Sequence, residues 1–240
     1  MSKIHLPVDL LIINTLDSDI AFKTLNYCDN LMSFNRKIII SNEKIISKGY
    51  ESIVVPQFKD IQEYSELCLK LIEFTSSGHV LIVQDDGHIV NPEMWDPAFL
   101  NYDYIGAPWP TSKKWLKRFK KYGDNINTPV HKNIQYNRVG NGGFSLRSRK
   151  FLEYSATFDS CENIPEDIFL CLVNYERANS FGISFAPFEM ALRFSYESGL
   201  KGIYKSKEKR NEIFNTSNHF GWHGKHFVNS SDLMKLKFNI

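Results

Sequence analysis

Val80-Leu81-Ile82-Val83-Gln84-Asp85-Asp86-Gly87-His88 is an apolar run that ends abruptly in two adjacent carboxylates and a glycine. A run this short and this apolar predicts a buried strand, and charge at its end belongs at the carboxyl edge of a sheet, where open α/β folds bind ligands. The same place suits a divalent cation held against phosphate.

Working back from this strand, Val8–Asn14 reads as a first strand and Ser18–Met32 as a helix. Lys37–Ser41 and Ser52–Val55 read as two further strands, and a helix capped by Asp60 runs to about Phe74, with Ile61, Tyr64, Leu67, Cys68, Leu71 and Ile72 at helical spacing. The order β-α-β-β-α-β predicts a nucleotide-binding α/β half, in which parallel strands are joined by crossover helices.

After Asn91-Pro92 the texture changes to aromatics, glycines and prolines, including Tyr102-Asp103-Tyr104-Ile105-Gly106-Ala107-Pro108-Trp109-Pro110. Residues 111–137 are polar and irregular, and are expected to be a mobile loop. Regular structure is expected again at Val139-Gly140-Asn141-Gly142-Gly143-Phe144-Ser145-Leu146-Arg147-Ser148, then in a helix from about Arg149 to Ser155. Pro165-Glu166-Asp167 opens another helix over Ile168–Tyr175, with proline in the first turn and carboxylates where the helix dipole favours them.

The chain has 240 residues, 42% of them hydrophobic, enough to build one generous core. Its formal charge of +2 lacks the electrostatic footprint of a nucleic-acid binder. The local cluster Lys113-Lys114, Lys117-Arg118 and Lys120-Lys121 reads either as a solvated surface or as a contact for an anionic acceptor or membrane headgroups. Cys28, Cys68, Cys161 and Cys171 show no CxxC pairing, which argues against a zinc cluster and a disulfide framework and fits a reducing cytosol. Val8 to Ile13 is far shorter than the roughly 20 residues of a membrane span and lacks a cationic leader, so a cytoplasmic protein, with at most peripheral membrane contact, is expected.

Four blocks carry chemistry. Transfer of a sugar from a nucleotide diphosphate needs a counter-charge for the leaving diphosphate, which a hard cation on carboxylates supplies; Asp86 is the first candidate ligand and Asp85 the next. The pair equally suits the capping of a turn. In Gly140 to Ser145, Gly142 and Gly143 allow close backbone approach to a ligand and Asn141 offers an amide to sugar hydroxyls, unless the glycines only form a tight turn. One of Glu166 and Asp167 can act as general base on an acceptor hydroxyl while the other orients it, although carboxylates also suit any helix start. In His219-Phe220-Gly221-Trp222-His223-Gly224-Lys225-His226, His223 is the leading imidazole ligand, with His219 and His226 behind it, and Lys225 can neutralise a diphosphate. His88 reads as a turn residue, and Trp109 and Trp222 as either sugar-stacking or packing aromatics.

Gln84-Asp85-Asp86, Tyr102 to Trp109 and Gly140 to Arg147, in this order, resemble the DUF5672 family of GT-A-type glycosyltransferase-like proteins, over roughly residues 75–227. The resemblance implies a GT-A fold: one Rossmann-like α/β domain with a mostly parallel central sheet flanked by helices, residues 1–90 binding the nucleotide and 91–240 the acceptor. It implies that Asp86 is the last acid of a DxD metal motif, with Gln84 where the first acid usually stands, that Asp167 is the base of an inverting reaction, and that His223 is the carboxy-terminal metal ligand. Asn14-Thr15-Leu16 and Asn42 fall where such folds meet base and ribose. The implied cofactor is Mn²⁺ or Mg²⁺, the donor a nucleotide-sugar with UDP foremost, and the acceptor a glycan or glycolipid precursor. A non-catalytic sugar- or nucleotide-binding module, and a nucleotidyltransferase or sugar-phosphate hydrolase, remain the alternatives.

Overall fold

The computed structural model describes residues 3–110, 137–197, 200 and 203–224, together with 114, 115, 117, 119 and 122. Strand β1 (His5–Ile13) is buried almost continuously from Val8 onward, the mark of a strand covered on both faces. Its side chains alternate between two cores. Leu10 and Ile12 join Leu81 and Val83 on one side; Leu11 and Ile13 join Ile38, Ile40, Val80 and Ile82 on the other.

Helix α1 (Ser18–Leu31) starts where the Asp17 side chain accepts from the Ile20 amide, and it buries Ala21, Thr24, Leu25 and Cys28, one stripe at helical spacing. Strands β2 (Ser33–Ser41) and β3 (Glu51–Val54) follow. Helix α2 (Ile61–Leu69) is capped by Asp60, which accepts from the Gln62 and Glu63 amides. The helix expected through Phe74 is interrupted at Lys70, and a 3₁₀ turn covers Leu71–Glu73. That tighter turn still puts Leu71 into the core beside Cys68, so the apolar pattern survived the change of winding. Strand β4 (His79–Val83) completes the β-α-β-β-α-β order expected.

The six-stranded sheet has the order β3-β2-β1-β4-β7-β6, where β6 is Tyr104–Gly106 and β7 is Ser145–Ser148. Strands β1 to β4 are mutually parallel, β7 runs antiparallel to β4, and β6 runs antiparallel to β7. The sheet is therefore mostly parallel, as expected, with one reversed strand. A second sheet, ordered β5-β9-β8, contains β5 (Gly87–Ile89), β8 (Ser195–Tyr196) and β9 (Gly221–His223). Helix α3 (Arg149–Ser155) follows β7. Helix α4 (Glu166–Ile168) passes into a π-helical turn over Phe169–Val173 and then α5 (Tyr175–Ser180); α6 (Phe188–Phe194) and α7 (Lys207–Ile213) follow.

Several local expectations are corrected by burial. His88 is no turn residue: it lies in β5, 3% exposed, opposite Trp222 and edge-on to the Tyr27 ring. The turn is one step earlier, at Asp85-Asp86, between Gln84 and Gly87, whose backbones bond to each other in both directions. Trp109 and Trp222 are core residues, the first against Phe119 and the second against Tyr196 and Phe214. His219 is buried, its Nδ1 facing the Leu192 carbonyl and its Nε2 that of Ile213, so both ring nitrogens are covered by backbone. The four cysteines are buried thiols. Among the described residues no helix is long and apolar enough to cross a membrane. Most of the loop expected over 111–137 lies outside the described residues, as do Lys225 and His226.

Candidate active site

The two-residue turn after β4 lifts Asp85 and Asp86 out of the sheet, and β9 folds back over them. The pairing of Gly87 with His223 and the bond from the Gly224 amide to the Asp86 carbonyl, 2.8 Å, fix the imidazole beside the turn. His223 Nε2 lies 3.4 Å from Asp86 Oδ1 and 3.3 Å from Gln84 Oε1. Its Nδ1 faces Glu197 Oε1 at 3.8 Å. Burial alone would lower the His223 pKa, but the bond to Asp86 and the charges of Glu197, Asp86 and Asp167 outweigh it and raise the value above that of an ordinary histidine.

Glu197 escaped the sequence reading because no motif surrounds it. Its position follows from register: β8 runs parallel to β9 with Tyr196 opposite Trp222, so the residue after Tyr196 lands beside the residue after Trp222. Gln84 was noticed only as a departure from an acidic motif. Its Nε2 donates to the Tyr64 hydroxyl at 2.8 Å and its Oε1 faces His223.

The glycine block closes the site from the other side. A Cβ on Gly143 would stand 1.9 Å from His223 Nε2, and one on Gly87 would stand 2.3 Å from the Gly143 carbonyl oxygen. A Cβ on Gly142 would stand 2.5 Å from Glu166 Oε1 and 3.3 Å from Asp167 Cβ. The backbone of Gly142-Gly143 therefore separates His223 from the Glu166-Asp167 pair by the thickness of a peptide, and only glycine permits that approach. Asp167 Oδ2 accepts from the Gly142 amide at 3.2 Å and Oδ1 from its neighbour Ile168 at 2.7 Å. Burial and the adjacent Glu166 push the Asp167 carboxyl up to about 7, with Glu197 adding to the rise and the two amide bonds opposing it. Glu166 faces inward, bonded to Arg147 at 2.8 Å in a pair that is almost wholly enclosed.

A cleft of about 520 Å³ opens beside the same strand ends, lined by Asn14, Thr15, Leu16, Asp17, Phe58, Ile61, Tyr64, Gln84 and Asp85. Leu16 and Ile61, 76% and 60% exposed, give this cleft apolar lips. Asn14 Oδ1 accepts from the Leu16 and Asp17 amides, both at 2.9 Å, and the Thr15 hydroxyl accepts from Phe58 at 3.0 Å, so these side chains shape the loop that forms the cleft wall. Asn42 is not part of its lining. Asn141 is 4% exposed; its Oδ1 accepts from the Gly143 amide at 3.2 Å, and its carbonyl accepts from the Tyr104 hydroxyl at 3.1 Å. Asp86, His223, Asp167, Gly142 and Gly143 are thus brought together, with Asp85, Asn14 and Thr15 at the neighbouring cleft.

A divalent cation fits these residues in one respect. Neighbouring ligands with metal bonds of about 2.1 Å stand roughly 3 Å apart, close to the Asp86–His223 spacing. Among the described residues no group of three or more His, Cys, Asp or Glu side chains is placed to hold a metal ion. Asp86 and His223 would hold such a cation from one side only, the arrangement in which substrate phosphates and water supply the other ligands.

Residues 50–213 match the protein family described as "Protein of unknown function (DUF5672)", and the chain belongs to that family. None of the curated proteins matches it in sequence. Among solved structures it resembles the galactosyltransferase LgtC, solved with donor and acceptor sugar analogues: 11% identity over 97% of this chain and 96% of that one, TM-score 0.52. Glucosyl-3-phosphoglycerate synthase from Mycobacterium tuberculosis, solved with Mn²⁺, UDP and glucosyl-3-phosphoglycerate, is 10% identical over 75% of this chain and 68% of that one, TM-score 0.45. The chain spans about half the length, 49%, of the bifunctional IspDF from Campylobacter jejuni, which is 11% identical over 75% of this chain with a TM-score of 0.46. At 11% identity the likeness to LgtC is one of fold, and that fold is the GT-A type expected from the sequence.

Proposed function

We propose that this DUF5672 protein is a glycosyltransferase that moves a sugar from a nucleotide diphosphate donor, with UDP-sugars the first to test, to a hydroxyl of a glycan or glycolipid precursor. The observation that carries this reading is the convergence of Asp86, His223 and Asp167 on the two sides of Gly142-Gly143, next to a cleft with apolar lips. Residues 1–90 form the donor half and residues 91–240 the acceptor half.

In this reading the cleft takes the nucleoside, its planar base covering Leu16 and Ile61. The diphosphate lies toward Asp85 and Asp86, and Asp86 and His223 would hold a Mn²⁺ or Mg²⁺ that supplies counter-charge to the leaving group when bound. Lys225, outside the described residues, is the further positive charge expected for the diphosphate from the sequence. Asp167 takes the proton of the acceptor hydroxyl, and a carboxyl pushed up to about 7 is well matched to that task near neutral pH. Glu166, committed to Arg147, leaves the base role to its neighbour. The transfer is then a single displacement with inversion.

The test incubates the protein with a panel of UDP- and GDP-sugars, with and without Mn²⁺, and follows thermal stability and released nucleotide. Stabilisation by one nucleotide-sugar, with nucleoside diphosphate released in an Asp167-dependent way, supports the proposal. Pyrophosphate as product would mark a nucleotidyltransferase, and binding without release on a broad acceptor panel a non-catalytic module. NMR of the anomeric centre of the product decides inversion.

A further inference from the structure

The Arg147 guanidinium is completely enclosed, at 0% exposure. Its Nε donates to Ser145 Oγ at 3.1 Å, its Nη2 donates to Glu166 Oε1 at 2.8 Å, and its plane lies over the Tyr104 ring at 5.4 Å. Among the described residues Nη1 has no hydrogen-bond partner. Replacing a buried ion pair by apolar side chains of the same volume is often neutral or stabilising, so stability alone does not account for this one.

The surrounding bonds form a closed circuit. Ser145 Oγ, which accepts from Arg147, donates to the Gly142 carbonyl at 3.0 Å. The amide of the same Gly142 donates to Asp167 Oδ2 at 3.2 Å. Glu166, joined to Arg147, is the residue before Asp167. Arg147 thus reaches Asp167 by two routes, through the peptide of Gly142 and through the helix start, and a Cβ on Gly142 would break into the middle of both, 3.1 Å from Nη2 and 2.5 Å from Glu166 Oε1.

We propose that Arg147 is a positioning residue for Asp167: its pair with Glu166 and its link through Ser145 to Gly142 hold the acid in place and determine which of two adjacent carboxyls exchanges a proton. The proposal rests on the reading of Asp167 as a base, and deepens it. Among the described residues the titratable groups facing Asp167 are Glu166 on its own helix, Glu197 after β8, His223 on β9, Tyr104 on β6, Cys171 on the π-helical turn and Cys161, with Arg147 on β7 meeting it across Gly142. Of these, Arg147 and Glu166 oppose each other in charge beside Asp167, so removing one or the other must move its titration in opposite senses.

The experiment titrates Asp167 directly in the full-length protein, by ¹³C NMR of labelled aspartate carboxyls, the resonance being assigned by its loss in Asp167→Asn. In Glu166→Gln, which strips a like charge and leaves the guanidinium uncompensated, the midpoint falls by about one unit or more. In Arg147→Met, which leaves Glu166 without its partner, it rises, and the double variant returns toward wild type. Midpoints that stay unchanged, or move in the same direction in both single variants, overturn the proposal. Should Arg147→Met fail to fold, Ser145→Ala decides, since it cuts the link from Arg147 to Gly142 and leaves every charge in place: a shifted Asp167 midpoint supports the proposal and an unchanged one overturns it. The titration needs no turnover, so it survives if the transferase reading fails; loss of nucleotide release in Asp167→Asn alongside unmoved midpoints overturns the positioning role alone.

Discussion

Replacing Gly143 by alanine tests the site with a single methyl group. Positive φ among the described glycines occurs at Gly49, Gly182 and Gly224, so alanine meets no backbone strain at 143 and the effect is steric. Its Cβ would stand 1.9 Å from His223 Nε2, 2.3 Å from Cδ2 and 2.5 Å from Cε1. To reach ordinary contact at 3.4 Å the imidazole must retreat by about 1.5 Å, and a misplacement of about 1 Å can cost on the order of a hundredfold in rate. The ring cannot retreat freely, because β9 is paired to β5 at Gly87, so its bonds to Asp86 and Gln84 are lost instead. Overpacking of this kind costs about 1–3 kcal/mol, a drop of several degrees in Tm for a chain of this size. Gly140→Ala is the control: its Cβ meets Trp109 at 2.3 Å and Cys171 at 2.8 Å, a comparable steric load in the core. Calorimetric titration with Mn²⁺ and UDP, beside nucleotide release, should show Gly143→Ala losing cation binding and turnover while Gly140→Ala loses mainly stability. A Gly143→Ala protein that binds Mn²⁺ with UDP as tightly as wild type would refute the role assigned to His223.

Further outcomes are expected at the other positions. Asp167→Asn should lower nucleotide release by about 10²–10⁴-fold, and wild-type activity should rise with pH as the Asp167 carboxyl deprotonates around its value of about 7. The folded protein holds that proton more tightly than the unfolded chain does, so the stabilisation is complete below the ordinary aspartate range and disappears as pH rises through about 7. The Tm of Asp167→Asn minus that of wild type should therefore grow between pH 4 and pH 8 in calorimetric scans, and a constant difference would contradict the buried-acid assignment. His223→Ala should abolish the Mn²⁺-dependent part of thermal stabilisation by UDP while leaving a metal-independent part. Leu16→Ser, at a position 76% exposed, should leave Tm within about 1 °C but weaken UDP binding several-fold, as expected for the loss of about 1 kcal/mol of apolar cover.

The sequence alone determined the features that are local in the chain. Apolar runs gave β1, β2 and β4, Asp60 marked a helix start that its side chain does cap, and the glycine block announced a close backbone approach, whereas the cap by Asp17 emerged only in the structure. The break in α2 at Lys70 was invisible because the apolar stripe continues through it. Only the tertiary structure decided which residues meet across long separations: the reversal of β7 against β4, the register that sets His223 against Gly87 and Glu197 against His223, and the closure of Arg147 on Glu166. It also moved His88, His219 and both tryptophans into the core. The physical reason is that capping and periodicity depend on residues a few places apart, whereas burial and the shift of a carboxyl's pKa depend on whatever the fold packs around it.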